Sequence, residues 1–250
     1  MDRLLELTYR AEQSHFWFRG FRQYMKPALT RATAGIASPR ILDCGCGTGS
    51  NLEMLRPYGR AFGFDLTRIG TEFAKANGHR VAQASIGEIP FKSGLFDLVT
   101  SFDVFQVLPD AVEQSAIREM VRVLKPGGWI LLHVAALEVL HGKHSVLSEE
   151  HRRYTSASLR RLVGGAGFQI NRLTFDHLSL LPLMLPVRVW HRLTAKGGVV
   201  AAGEGEITVP IAPLNAALTA LVSLEALALR AVDMPIGGSL MCLARKPVSP

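Results

Sequence analysis

The densest chemical signal in this 250-residue chain is the run Asp43-Cys44-Gly45-Cys46-Gly47-Thr48-Gly49. Glycine at every second position lets the backbone take positive φ and approach a ligand closely. An apolar run precedes it and a helix start follows, and a helix N-terminus favours a carboxylate or phosphate. Asp65 stands 22 residues after Asp43, at the end of the next apolar run. In a doubly wound sheet those two strand ends are neighbours, and a carboxylate there accepts hydrogen bonds from both hydroxyls of a ribose. The spacing is G-x-G-x-G, with Ser50 where a dinucleotide fingerprint has its last glycine. Asp43 would repel a pyrophosphate but receive an ammonium. The loop therefore suits an adenosyl ligand with an α-amino-acid tail.

The elements that must position this loop alternate. Apolar runs at 41–42, 61–64, 81–84, 96–101 and 129–134 predict strands, and 50–57, 67–77 and 110–124 predict helices, the last with Asp110 as N-cap. Pro126-Gly127-Gly128 predicts a break before the fifth strand. A helix over 156–164, a strand over 168–175 and a last strand over 239–245 follow. Such alternation predicts an α/β fold, a doubly wound parallel sheet with helices on both faces. Between 177 and 236 the pattern is least regular. There a helix over 214–231 is apolar on most of its circumference, with Asn215, Thr219 and Ser223 as a polar stripe. Pro210 and Pro213 interrupt the uncharged stretch 207–224. We expect the helix to pack on the domain; a membrane interface or a lipidic acceptor is the alternative.

Composition excludes several classes. With 48% hydrophobic and 20% charged residues the chain is not disordered, and three cysteines make no disulfide scaffold. The first residues lack a signal peptide's apolar run, so a cytoplasmic protein, with peripheral membrane contact as an option, is the expectation. The net charge of +7 divides unevenly: +4 in 1–40, −2 in 41–140, +5 in 141–192 and 0 in 193–250. Two basic segments flanking an acidic middle can meet over an anionic ligand or surface. No Lys/Arg run exceeds two residues, which disfavours nucleic acid. Cys44-x-Cys46 with only Cys242 besides cannot build a four-cysteine site, so no metal is expected.

ILDCGCGTG, FGFDL, IPFKSGLFDLVTSFDV and VLKPGG, in that order, resemble class I S-adenosylmethionine-dependent methyltransferases over about 40–175. HFWFRGFR, HRRYTSASL and PIGGSLMCLARKP are similar to a bacterial, methyltransferase-11-like branch. The resemblance implies S-adenosylmethionine as cofactor. It implies a seven-stranded, mostly parallel sheet of order 3-2-1-4-5-7-6 with the last strand antiparallel. It implies one Rossmann-like domain over 1–250: an N-terminal helical lid at 1–38, a core at 39–176 and 237–247, and a helical acceptor-side insert at 177–236. By resemblance Asp43, Gly45, Cys46, Gly47 and Gly49 surround the methionine part, Asp65 holds the ribose and Leu66 flanks the adenine. Ser85 and Ile86 form the loop after the third strand, and Phe102 and Asp103 lie on the cofactor's other side. Relatives often have Asp where Ser85 stands, and D-V-L-E-H where this chain reads Asp103-Val104-Phe105-Gln106-Val107. Relatives also often carry His-Asp ahead of Arg-Arg-Tyr, whereas here Ser145 follows His144 and His151 abuts Arg152.

Methyl transfer from a sulfonium needs an aligned nucleophile and exclusion of water. A hydroxyl acceptor is helped by a base near neutral pKa; a carboxylate needs none. The candidate catalytic residues are His151, Tyr154, His144 and His15. Arg152, Arg153, Arg19 and Trp17 are candidates for binding the acceptor, Arg19 and Arg22 also for the cofactor carboxylate, and Phe16-Trp17-Phe18 for a lid. The expected reaction is transfer to a hydroxyl or carboxyl oxygen of a small acceptor, anionic or lipid-linked. The alternatives are a C- or N-methyltransferase, a non-catalytic S-adenosylmethionine-binding subunit, and a nicotinamide dehydrogenase, which the loop spacing opposes. The Asp/Asn-Pro-Pro-Tyr/Phe clamp of base methylases is absent at Ser101-Phe102-Asp103-Val104.

Overall fold

The computed structural model describes residue 9 and residues 11–140, 149–186 and 209–248. Seven strands are formed by Arg40–Cys44 (β1), Arg60–Asp65 (β2), Val81–Gln83 (β3), Phe96–Phe102 (β4), Leu124–Ala135 (β5), Gln169–Asp176 (β6) and Ser239–Arg245 (β7). They lie in the order β3-β2-β1-β4-β5-β7-β6. β7 runs antiparallel to both its neighbours, and the other pairs are parallel. Every residue of β4 is buried, as a central strand covered on both faces requires.

Alternating side chains divide the core in two. Leu42, Val99 and Leu132 face helices Asp110–Val123 (α4) and Ser156–Gly165 (α5), where Met120 and Leu159 are fully buried. Ile41, Leu98 and Leu131 face the other side, against helices Phe16–Thr33 (α1) and Ala212–Ala228 (α6). Ser50–Leu55 (α2) and Arg68–Ala76 (α3) are short crossovers beside the glycine loop.

The polar stripe of α6 faces α1, as expected for packing on the domain. The Asn215 amide donates to Ser14 O at 2.9 Å and its carbonyl accepts the Phe16 amide at 2.9 Å. Gln23 donates to Ser223 Oγ at 2.9 Å. The helices approach closely at Gly20, where a Cβ would stand 2.9 Å from Val222 Cγ2. On the outer face of α6, Leu214, Leu224 and Leu227 are exposed. Among the described residues no helix is long and apolar enough to cross a membrane.

Two local expectations differ from the structure. Asp110 is the first helical residue of α4 and Pro109 its N-cap, because the Asp110 carboxylate pairs with Arg152 instead of capping. Pro126-Gly127-Gly128 does not end the strand: β5 runs on from Leu124, absorbing the glycines in a register shift opposite Phe96 and Leu98.

Candidate active site

The glycine loop is tied to β2 before any ligand is considered. The amides of Gly45 and Cys46 both donate to Phe64 O, at 2.9 and 3.0 Å. Gly45, Gly47 and Gly49 have φ of 80°, 50° and 89°, a region L side chains avoid. A Cβ on Gly45 would come within 2.4 Å of Val104 Cγ2, so the loop rests on the segment leaving β4. Asp65, at the tip of β2, accepts the Gly47 amide at 2.9 Å, and the Thr67 amide and hydroxyl at 2.8 and 2.6 Å. A carboxylate offers about four acceptor sites, so roughly one is left for a sugar hydroxyl.

Asp43 sits fully buried under this loop. Its Oδ1 accepts the Thr100 hydroxyl at 2.7 Å, and Oδ2 is buried without a protein partner. Burial, with a smaller push from Asp65, raises its pKa to about 7. A buried carboxylate oxygen lacking a donor is the partner an amino-acid ammonium needs. The loop, Asp43 and Asp65 thus fit an adenosyl amino acid in shape and in charge.

A second constellation lies across the tips of β4, β5 and β6. His133, fully buried in β5, has Nδ1 3.0 Å from Asp103 Oδ1 and Nε2 3.2 Å from Asp176 Oδ2. Asp176 Oδ1 lies 2.6 Å from His177 Nδ1, and the His177 ring stacks on Trp17 at 3.8 Å. Burial works against a charged His133, but the two carboxylates outweigh it and raise its pKa to about 10. For Asp176 and Asp103 desolvation raises the carboxyl pKa, and the facing imidazoles overcome it and hold both below the usual range. Asp103 and His177 both have positive φ, 56° and 58°. Sequence reasoning missed His133, Asp176 and His177. The only signal was a histidine inside the apolar run 129–135 and an Asp-His pair at the end of the alternating strand Gln169–Asp176. The three could group around a cation, with ligand atoms within 4.8 Å of one another, but imidazole–carboxylate contacts account for their arrangement.

A methyltransferase-domain family model matches residues 42–132. The chain is 30% identical over 193 residues to malonyl-[acyl-carrier protein] O-methyltransferase of Herminiimonas arsenicoxydans, covering 72% of this chain and 73% of that protein. It is 32% identical over 132 residues to a tRNA (carboxymethyluridine(34)-5-O)-methyltransferase of Arabidopsis thaliana. That match covers 52% of this chain, which spans only 32% of the relative's length. The chain belongs to the class I S-adenosylmethionine-dependent methyltransferases. Its cofactor is S-adenosylmethionine. The fold is shared with Haemonchus contortus phosphoethanolamine N-methyltransferase 2 in complex with S-adenosyl-L-methionine. The TM-score is 0.61 at 17% identity, covering 99% of this chain and 57% of that one.

In this methyltransferase the remaining cofactor candidates line the same edge of the sheet. Leu66 is exposed beside Asp65, Ser85 is exposed with its hydroxyl accepting the Gly87 amide, and Ile86 is buried. Phe102 is buried edge-on against Phe21, with ring centroids 5.1 Å apart. Cys46 is a buried thiol whose pKa burial pushes well above the ordinary value.

The N-terminal segment covers the methyltransferase's loop, though not with the residues expected. Glu12 accepts the Thr48 hydroxyl at 2.7 Å, and Tyr9 lies 4.7 Å from Phe73 of α3. Trp17 instead covers His177. His15 is buried and caps α1, its Nδ1 accepting the Trp17 amide at 3.1 Å. Arg19 is exposed, lining with Arg22 and Lys26 a cleft of about 510 Å³ against Thr219 of α6.

The candidates after β5 divide. The amides of His151 and Arg152 donate to Gln106 O at 2.8 and 3.3 Å, which seats this connection over the β4 tip. His151 is exposed there. Tyr154 turns inward, 3% exposed, and its hydroxyl bonds Glu113 of α4. Arg152 pairs with Asp110 and Glu113, and Arg153 with Glu150 while also donating to Ala136 O. Both arginines thus have internal carboxylate partners. His144 lies outside the described residues.

Proposed function

We propose that this methyltransferase moves a methyl group onto a hydroxyl or carboxyl oxygen of a small acceptor that is anionic or lipid-linked. The observation that carries the reading is the Asp103–His133 pair at the β4 and β5 tips. It presents a carboxylate able to accept a hydrogen bond from an acceptor hydroxyl, on the half of the edge the cofactor loop leaves open. The O-methylating relatives support oxygen as the target. The exposed leucines of α6 support an acceptor with an apolar part, and the separate basic cleft of Arg19, Arg22 and Lys26 supports one with an anionic part.

Bound S-adenosylmethionine supplies a methyl carbon already activated by positive sulfur. The protein's task is to hold the acceptor in line and keep water out. Asp43, Gly45, Cys46, Gly47 and Gly49 take the methionine part in this reading, and Asp65 the ribose. Leu66, Ser85 and Ile86 border the adenine, and Phe102 closes the remaining side. In this reading residues 1–38 form a lid and 177–236 the acceptor-side insert of one domain, of which residues 1–8, 10 and 187–208 lie outside the described residues. His151 remains a candidate base, because its backbone is seated on Gln106 beside Asp103. A small molecule is preferred over nucleic acid, since the tRNA-acting relative is matched over a third of its length.

The test is transfer from S-adenosylmethionine carrying a tritiated methyl group, supplied with metabolite and lipid extracts of cells lacking the gene. Label in a small or chloroform-soluble product is expected; its survival in alkali marks an ether and a hydroxyl acceptor, its loss an ester and a carboxyl acceptor. Label confined to RNA or protein, or no transfer, would overturn the proposal.

A further inference from the structure

We propose that the outer faces of α1 and α6 form one docking surface for an anionic lipid bilayer, with α6 lying in the acyl boundary and the cations of α1 meeting headgroup phosphates. The inference goes beyond the transfer reaction, since it concerns where the enzyme sits and holds whichever oxygen is methylated.

The two helices lie side by side and run parallel, tied by the Phe16 amide on Asn215 and by Gln23 on Ser223. α6 inverts the usual amphipathic pattern. Its Asn215 and Glu225 are buried, whereas its outer face is aliphatic. Ala216, Ala220, Leu224 and Leu227 are exposed along that face, Leu224 at 65%. From exposed Ile211 to Leu227 the stripe is about 24 Å long at the helical rise. Glu225, the one charged residue of α6, turns inward and accepts the amides of Leu178 and Ser179 at 2.9 and 2.8 Å. Beside this stripe, α1 carries Arg19, Arg22, Lys26 and Arg31 and no carboxylate. Arg19, Arg22 and Lys26 line the cleft that Thr219 borders. Ser223, held by Gln23, and exposed Leu227 follow Thr219 at four-residue steps, so the apolar stripe adjoins the cations along one line of α6. Among the described residues no carboxylate pairs with Arg19 or Lys26. The Glu12 carboxylate that attracts Arg22 is engaged with Thr48.

Charge and composition choose the occupant. A second copy seated on this face by a two-fold axis would bring the same cations together. A protein interface centres on aromatic or arginine anchors in pockets, and the stripe offers only small and branched aliphatic side chains. A bilayer answers both halves: acyl chains take up an aliphatic stripe, and headgroup phosphates accept hydrogen bonds from guanidinium and ammonium groups. The helix lies along the surface, since none among the described residues is long and apolar enough to cross a membrane. Trp17, in the first turn of α1, stacks on His177, so the docked face and the acceptor edge share one helix.

The experiment is flotation of the full chain with vesicles of phosphatidylcholine alone and of phosphatidylcholine mixed with phosphatidylglycerol. Wild type is expected to bind the anionic vesicles about tenfold or more tighter than the neutral ones, and less tightly as salt rises. Leu224→Gln/Leu227→Gln should weaken that binding by about tenfold or more. Both leucines are exposed, so the variant should fold and keep its S-adenosylmethionine affinity, read by calorimetry, within about twofold. Arg19→Gln/Lys26→Gln should weaken binding to anionic vesicles by about tenfold and leave binding to neutral ones nearly unchanged. Wild type that binds no anionic vesicle would overturn the proposal. So would binding that the leucine pair leaves intact, which would assign the cations to a free phosphate. Light scattering is the last arm: a wild-type dimer that the leucine pair turns monomeric would mean that a second copy covers this face, and would overturn the proposal as well.

Discussion

The Asp65 carboxylate accepts the Gly47 amide at 2.9 Å, so the group that would grip the sugar also closes the glycine loop. Removing it does two things at once. Hydrogen bonds to charged groups contribute about 1.5–3 kcal/mol each, so losing the loop tie and a ribose contact should weaken S-adenosylmethionine binding by about two orders of magnitude in Asp65→Ala. Asp65→Asn keeps an acceptor oxygen and should fall in between. Calorimetry on both variants decides, and equal, wild-type affinity would remove Asp65 from the site.

Asp43 makes cofactor binding a proton-linked event. Burial holds its pKa at about 7, so the unliganded carboxyl is largely protonated at pH 6. An arriving ammonium favours the ionised form, and the proton is released. Titration at pH 6–6.5 in two buffers of different ionisation enthalpy should show release approaching one proton, vanishing in Asp43→Asn. The folded pKa is raised, so the unliganded protein loses the related stability as pH climbs through about 7, and bound cofactor should offset that loss.

Much of this was legible beforehand, for identifiable reasons. The strand–helix alternation and the Asp43-to-Asp65 cradle follow from glycine spacing and apolar runs, which are local signals, whereas the sheet order came only with the family resemblance. The stripe Asn215, Thr219, Ser223 was readable because a four-residue repeat leaves one helix face polar. Side-chain destinations were not readable. Tyr154 adjoins the His151 connection in sequence, yet its hydroxyl belongs to Glu113, forty-one residues away on α4. The array at the acceptor edge joins residues 103, 133, 176 and 177. Only the crossover order β4-β5-β7-β6 brings those together. A lone histidine in an apolar strand carries no sign of which carboxylates it meets.

His133 sets an alkaline limit. Its folded pKa is raised to about 10 from an ordinary 6.5. That contribution is whole below about 6.5 and is lost as pH rises through 10. Replacing it strands Asp103 and Asp176 without a cation between them, and breaking a buried pair from one side costs about 3–5 kcal/mol. His133→Gln should therefore melt roughly 6–15 °C lower at pH 7. The gap to wild type should narrow toward pH 10, and a gap constant across pH 7–10 would deny the imidazolium.

The contact between α1 and α6 depends on the missing side chain of Gly20. A Cβ there would stand 2.9 Å from Val222 Cγ2 and 3.0 Å from its Cβ, and Val222 is fully buried. Gly20→Ala gains up to about 1 kcal/mol in helix propensity. Overpacking costs about 1–3 kcal/mol, so the net change should be destabilising. Val222→Ala removes the methyl groups that clash but leaves a cavity. The double variant should therefore be more stable than the sum of the two single losses predicts, by about 1 kcal/mol or more. Urea denaturation of the four proteins measures this coupling. Strict additivity would mean that α6 shifts away from α1 without resistance, and the cleft at Arg19, Arg22 and Lys26 would then widen with it.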